Sequence, residues 1–310
     1  MDNGKIKIAA VVGPTASGKT RFGIELAKRW NGEVISADSM QIYEGMDIGS
    51  AKPTVEEMDG VPHHLIGIIP RDQNFSVAQY AELAHKTIQE VHSRGKFPII
   101  VGGTGLYIDS VINNITFIDT EVDEQLRRSL YEQAQSEGSN ALWEKLKNID
   151  PQSAAKIAPN NTKRVIRALE IFYTTGMTMT EQNERSRRVP TPYETIKLGI
   201  KTKDRAELYD RINRRVDEMM QRGLLDEARA LFESDSGTNT ASKAIGCKEF
   251  IPYFKGEITL DEAVETLKKE TRHYAKRQLT WFMRDKEIQW LTTGGQCPIC
   301  ANLCFNDTFL

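Results

Sequence analysis

The chain has 310 residues, of which 39% are apolar and 27% charged, with a formal net charge of −2. That balance belongs to a soluble globular protein able to bury a full core in one large domain or two small ones. No apolar run approaches the ~20 residues that a membrane span needs, and no apolar leader precedes the first predicted strand, so a cytoplasmic location is expected. Four cysteines without an even disulfide pattern fit a reducing compartment. The total charge alone argues against a nucleic-acid binder, but its distribution does not. Residues 119–138 carry a local balance of −4, residues 156–188 one of +4, and residues 268–286 one of +5. Local fields attract a polyanion, although each basic patch also fits an ordinary solvated helix face.

The first predicted strand, Ile6 to Val12, runs into Gly13-Pro14-Thr15-Ala16-Ser17-Gly18-Lys19-Thr20, and a helical pattern with Phe22 and Leu26 inside follows. The loop matches the phosphate-loop template G-x-x-x-x-G-K-[ST] at every fixed position. Its glycines let successive N–H groups curl toward one anion, and the helix N-terminus adds partial positive charge. Lys19 can reach an outer phosphate, and the Thr20 hydroxyl suits a Mg²⁺ ligand. The loop is expected to bind a diphosphate or triphosphate.

Glu33 to Ser39 is predicted as a second strand ending at Asp38, which lies either at a ligand crevice beside the phosphate loop or merely caps the next turn. Residues 41–53 are polar and punctuated by glycine, hence a surface loop. His63 to Ile69 is a third apolar run, whose adjacent histidines point to opposite faces, so no shared metal is expected there. A helix begins at Ser76. Phe97 to Val101 forms the next buried strand and ends in Gly102-Gly103-Thr104-Gly105, where Thr104 either meets a phosphate or caps a helix. No Asp stands where a usual Walker B carboxylate would, which weakens an ATPase reading.

From about Asp119 to Pro190 the pattern is helical only. In the segment Thr162 to Tyr173, Val165, Ile166, Leu169 and Phe172 share one face while Lys163 and Arg167 share the other. Strand character returns at 194–200. The helix at 208–220 sets Arg211 and Arg215 four residues apart, able to close on a diphosphate or to pair with nearby Asp residues. Lys243 to Lys248, with Gly246, connects two helices. Helix 271–284 aligns Arg277, Trp281 and Arg284, an interleaving that suits unpaired bases. Residues 288–291 read as the last strand. The chain therefore reads as α/β, a P-loop NTPase-like parallel sheet core with an inserted all-helical domain. Its segments are 1–118 (first part of the core), 119–193 (insertion), 194–293 (core completion and C-terminal helices) and a Cys-containing tail at 294–310.

The phosphate loop, Ser36 to Tyr43, Met46 to Pro53, Val101 to Tyr107, Arg164 to Glu170 and Ala275 to Trp281 occur in the order found in one family. Through them the chain resembles the bacterial tRNA dimethylallyltransferases, also called tRNA isopentenyltransferases, over residues 8–291. The resemblance implies transfer of a dimethylallyl group from dimethylallyl diphosphate to N6 of the adenosine just 3′ of the anticodon. It also implies that the phosphate loop holds the prenyl diphosphate with Mg²⁺ rather than ATP. The chain is expected to act as a monomer. Asp38, Thr104 and Lys19 are then the expected catalytic residues. Contacts to the tRNA anticodon stem-loop are expected from Asp38, Ser39, Met40, Gln41, Lys163, Arg164, Arg167, Lys243, Gly246, Lys248, Lys276, Arg277, Trp281 and Arg284. The tail departs from the family: Cys297, Cys300 and Cys304 form C-x₂-C-x₃-C, an incomplete zinc set that reads first as a reduced tail.

The chemistry suits these residues. An exocyclic adenine amine is a poor nucleophile, and a carboxylate such as Asp38 can accept its proton as the C–N bond forms. The leaving diphosphate needs preorganised donors, and the adenosine must swing out of its stack to be reached. Two rivals share parts of the pattern: a P-loop small-molecule or nucleotide kinase using ATP, and a non-catalytic RNA-binding protein.

Overall fold

The apolar runs that end in glycine or aspartate become adjacent strands of one parallel sheet. The computed structural model describes residues 4–117, 123–234 and 244–293. In chain order its elements are β1 (Ile6–Val12), α1 (Lys19–Arg29), β2 (Gly32–Ala37), α2 (Val55–Met58), β3 (His63–His64), α3 (Val77–Ser93), β4 (Phe97–Gly102) and α4 (Gly105–Ile112). Then come α5 (Glu124–Ser136), α6 (Ser139–Ile149), α7 (Pro151–Lys156), α8 (Thr162–Thr175) and α9 (Met179–Ser186). The last are β5 (Tyr193–Thr202), α10 (Arg205–Gln221), α11 (Leu224–Ser234), α12 (Ile251–Phe254), α13 (Leu260–Phe282) and β6 (Gln289–Thr293).

The sheet order is β3-β2-β4-β1-β5-β6, and every pairing is parallel. Both faces are covered, which is why the strands read as nearly continuous apolar runs. Alternate residues serve the two sides. Ile8, Ala10, Val12, Ile35 and Ile100 pack with Tyr80, Ala84 and Ile88 of α3, whereas Ala9, Val11, Val34, Ile99 and Val101 pack with Phe22 and Leu26 of α1. No helix among the described residues is long and apolar enough to cross a membrane.

Two elements differ from their predicted extent. The third strand is two residues rather than seven, because Leu65 turns into a left-handed conformation at φ 60 and ends the pairing. The helix expected from 271 is the second half of the 23-residue α13, which starts far earlier at a Thr259–Glu262 capping box.

The chain divides into two compact units, one built from residues up to Ile112 together with those from Pro192, the other from Asn113–Thr191. The second unit is helical and buries Leu130, Leu142, Leu146, Val165 and Leu169. Within it Glu170, only 5% exposed, accepts from Arg127 Nε at 2.5 Å and pairs with Arg167 at 3.5 Å. Asp150 is equally buried and joins two helices. It caps α7 through Ser153 N–H at 3.0 Å and accepts from Thr180 N–H and Oγ1 at 3.0 and 2.6 Å. Burial raises its pKa, but the bonds from Thr180 and Ser153 outweigh that and hold the carboxyl below its ordinary range.

Asp150→Ala should therefore destabilise the helical unit by about 1–3 kcal/mol, through a lost cap and buried donors left unpaired. Because the folded pKa lies below the unfolded one, the contribution is full above the ordinary Asp range and lost as pH falls through the folded value. Urea unfolding of wild type and variant at neutral and acid pH checks this: the gap between them should close on acidification.

Candidate active site

Register brings the site together. Gly102 of β4 lies level with Ala37 of β2 on one side and Val12 of β1 on the other. The next residues, Asp38, Gly103 and Gly13, therefore leave the sheet side by side at its C-terminal edge, where parallel α/β sheets bind ligands.

The phosphate loop keeps its helix end open. Gly18, in the left-handed region at φ 89, gives α1 no side-chain cap, and no acidic residue stands in the first turn. Ala16 also has positive φ, at 61, a strained conformation for a residue with a Cβ. The loop is held from above by α13. Gln278, 5% exposed, accepts from Thr15 N–H at 2.8 Å and donates to the Gly103 carbonyl at 3.0 Å, so one side chain ties the two glycine turns together. The approach demands glycine at 103, where a Cβ would fall 2.1 Å from Gln278 Nε2.

Asp38 Oδ1 accepts from the N–H groups of Met40 at 2.9 Å and Gln41 at 3.4 Å, which makes it a turn cap while it also lines a cavity. The two functions are not exclusive. Thr104 Oγ1 accepts from Ser39 N–H at 3.1 Å and donates to Ser39 Oγ at 3.4 Å. The Tyr274 phenol is buried beside Thr104 and Gln278, and burial pushes its pKa up.

Among the described residues Lys19 Nζ hydrogen-bonds only the Pro14 carbonyl, at 3.4 Å. Burial lowers its pKa to about 8, Asp38 partly opposes that, and Arg215 adds to the drop. Arg211 and Arg215 part company. Arg211 pairs with Glu207 at 2.7 Å, a glutamate one turn back rather than a nearby Asp. Arg215 makes no hydrogen bond or ion pair among the described residues, and burial lowers its pKa against the longer-range pull of Asp38.

Two cavities meet at Lys19, Thr20 and Arg215. The inner one, about 340 Å³, has Asp38 and Gln278 at its polar end and Met40, Ile212, Val216 and Leu267 in its walls. The outer one, about 740 Å³, has a rim of mixed charge, with Lys52, Arg211, Arg214 and Arg222 set among Glu25, Glu56, Glu57, Asp59 and Glu218. Such a site can grip an anion at the junction and shelter an apolar group beside a carboxylate.

The family model described as IPP transferase matches residues 41–285. The chain belongs to the IPP transferase family. It is 52% identical over 286 residues to a tRNA dimethylallyltransferase from Halalkalibacterium halodurans, covering 92% of this chain and 91% of that one. It is similar at 50% identity and TM-score 0.69 to the crystal structure of a tRNA isopentenylpyrophosphate transferase from Bacillus halodurans, covering 93% of this chain and 90% of that one. A eukaryotic dimethylallyltransferase acting on tRNA, 31% identical, superposes with TM-score 0.78 over 93% of this chain and 74% of its own.

Within this IPP transferase the expected site residues fall into four groups. Lys19, Thr20, Asp38, Ser39, Met40, Gln41, Arg215, Gly246, Lys248 and Arg277 all line the inner cavity. Lys276 on α13 and Arg284 just beyond its end are exposed, whereas the Trp281 indole donates to Asp109 at 2.9 Å and packs where a Gly105 Cβ would lie 2.2 Å away. Lys163 and Arg164 are exposed on the helical unit, and Arg167 is engaged with Glu170. Lys243 and Cys297, Cys300 and Cys304 lie outside the described residues. Gln278 and Tyr274 escaped the sequence reading. Their signal was the spacing Tyr274-x₃-Gln278, one face of a helix that also carries Arg277.

Gln278→Leu should remove both bonds to the glycine turns while keeping the bulk. Two buried backbone groups would lose their partner, at a cost of about 2–4 kcal/mol. Guanidinium unfolding measures it, and a loss below about 0.5 kcal/mol would mean that water replaces the amide.

Proposed function

We propose that this chain transfers a dimethylallyl group from dimethylallyl diphosphate to N6 of the adenosine 3′-adjacent to the anticodon of certain tRNAs, releasing diphosphate, and does so in the cytoplasm. The observation that carries the proposal is the junction of the two cavities. An anion-binding helix end with two cations, Lys19 and Arg215, adjoins an apolar-walled chamber that also contains the carboxylate of Asp38.

In the reaction the adenine N6 attacks the first carbon of the prenyl chain as that carbon's bond to diphosphate oxygen breaks. The N6 proton goes to Asp38, and the diphosphate leaves with the bonding electron pair. The phosphate-loop N–H groups, Lys19 and Arg215 receive the charge that develops on the leaving group. Thr104 orients the Asp38 turn through Ser39, so its part is positioning as much as contact with the diphosphate. Met40, Ile212 and Val216 shield the prenyl carbon from water.

The Thr20 hydroxyl would hold Mg²⁺. Among the described residues no three acidic, His or Cys side chains gather into a metal cluster, so the ion would be held by one hydroxyl, diphosphate oxygens and water, a set that fits Mg²⁺. When bound it supplies neutralisation of the diphosphate. The kinase reading of the loop draws no support from relatives that are prenyl transferases.

Single-turnover transfer to an anticodon stem-loop, with both substrates saturating and ATP as the control donor, tests the proposal. Wild type should transfer from dimethylallyl diphosphate and leave ATP unused. Asp38→Asn keeps the shape and one acceptor but cannot take a proton, so the rate should fall roughly 10²–10⁴-fold with donor affinity little changed. A rate near wild type would leave Asp38 as a turn cap alone.

The exposed pair Lys163 and Arg164 is the better probe of RNA binding by the helical unit, since Arg167 is already committed to Glu170. Lys163→Ala with Arg164→Ala should weaken tRNA binding and reduce its salt slope by about two units, one per phosphate contact, with donor KM unchanged. An unchanged slope would make this face ordinary surface.

A further inference from the structure

Three successive backbone amides in the loop after Met46 point at one carboxylate. The N–H groups of Asp47 and Ile48 donate to Glu227 Oε2, and that of Gly49 to Oε1, each at 2.8 Å. Glu227 stands in the first turn of α11, half-buried, and forms no ion pair among the described residues. Both of its oxygens are used, in charge-assisted bonds that are roughly twice as strong as neutral ones. The fit is close: a Cβ on Gly49 would lie 3.2 Å from Glu227 Oε1 and 3.3 Å from Leu224.

The loop held in this way leads to Asp38. Its Ser50 and Ala51 carbonyls accept from the Gln41 side-chain amide at 3.4 and 3.1 Å. The other end of that amide accepts from the Ser36 hydroxyl at 3.0 Å, which leaves Gln41 fixed at both ends. The Gln41 N–H donates in turn to Asp38 Oδ1. Gly49, Ser50 and Ala51 also form part of the inner cavity wall, so the same clamp shapes the chamber and orients the carboxylate within it.

We propose that Glu227 is a positioning residue for the transfer reaction, acting through the 47–51 loop and Gln41 to hold Asp38 in its productive orientation. The inference rests on Asp38 being the proton acceptor proposed above. A glutamine at 227 has nearly the same size but offers one acceptor and an NH₂ that opposes the amide donors, so at least one amide loses its partner. The loop would shift while the phosphate loop, on a different strand, would not.

The test is Glu227→Gln, assayed beside wild type by single-turnover transfer, with Gln41→Leu cutting the next link and the double variant completing the cycle. Glu227→Gln should lower the transfer rate about 10–100-fold, the scale of a sub-ångström to 1 Å misplacement, while the KM for dimethylallyl diphosphate stays within about twofold. The double variant should be no slower than the slower single one, because both cut the same chain. A folded Glu227→Gln protein that transfers at the wild-type rate overturns the proposal. So does a double variant whose losses multiply, or a variant whose donor KM rises in step with the fall in rate. If Glu227→Gln does not fold, Gln41→Leu decides: a rate loss with donor KM kept supports the chain of contacts, and an unchanged rate overturns it. A wild-type chain without transfer activity would overturn the functional reading and this inference with it, whereas an active wild type with an equally active variant overturns this inference alone.

Discussion

The site depends on one register. Because β2, β4 and β1 are neighbours and parallel, and because Ala37, Gly102 and Val12 lie level, the three chain segments of the candidate site leave the sheet together. A parallel ladder cannot slip by one residue without turning each strand's buried set to the other face. Here the two faces pack against different helices, so slippage would misplace both cores at once. Positioning of Asp38 beside the phosphate loop is thus inherited from hydrophobic packing, far larger in free energy than any contact within the site.

What the sheet aligns, α13 fastens. A helix laid across two glycine turns excludes water from their backbone groups, and those groups then need partners. Gln278 supplies one donor and one acceptor at the right places, and Gly103 and Gly105 give the helix room to approach. The first amides of α1 are left uncapped by any side chain, the arrangement in which a helix N-terminus can accept an anion. Rigidity in the surrounding turns and an open helix end are complementary features of the same construction.

Much of this was legible in the sequence. Strand after strand announced itself as an apolar run ending in glycine or aspartate, and the glycine-rich loop marked where the uncapped end of α1 lies. The short β3 was not legible, since His63 to Ile69 has strand composition and only the left-handed turn at Leu65 stops it. Nor were Gln278 and Glu227, for a physical reason. Each acts on backbone groups remote in sequence, Thr15 and Gly103 in one case and Asp47 to Gly49 in the other, and backbone donors leave no mark in residue types. Trp281 shows another limit of spacing: its alignment with Arg277 and Arg284 suggested base stacking, but gave no sign that the indole also packs against Gly105 and donates to Asp109.

Arg211 and Arg215 show how far spacing alone can go. Four residues apart on α10, they are equivalent by pattern, and only their surroundings separate them. Arg211 has Glu207 one turn before it and remains half-exposed, the ordinary arrangement of a helix surface, worth little to stability. Arg215 makes no hydrogen bond or ion pair among the described residues, loses solvation, and stands with Lys19 at the cavity junction, where the carboxylates of Asp38, Glu57 and Glu218 act on it only at longer range. Two like charges brought together in a poorly solvated place are unfavourable in the empty protein. They become favourable when a multiply charged anion lies between them, and most so as its charge grows. A sequence tuned only for stability would close one of these carboxylates onto Arg215; among the described residues none makes that ion pair, which leaves the guanidinium open to the cavity.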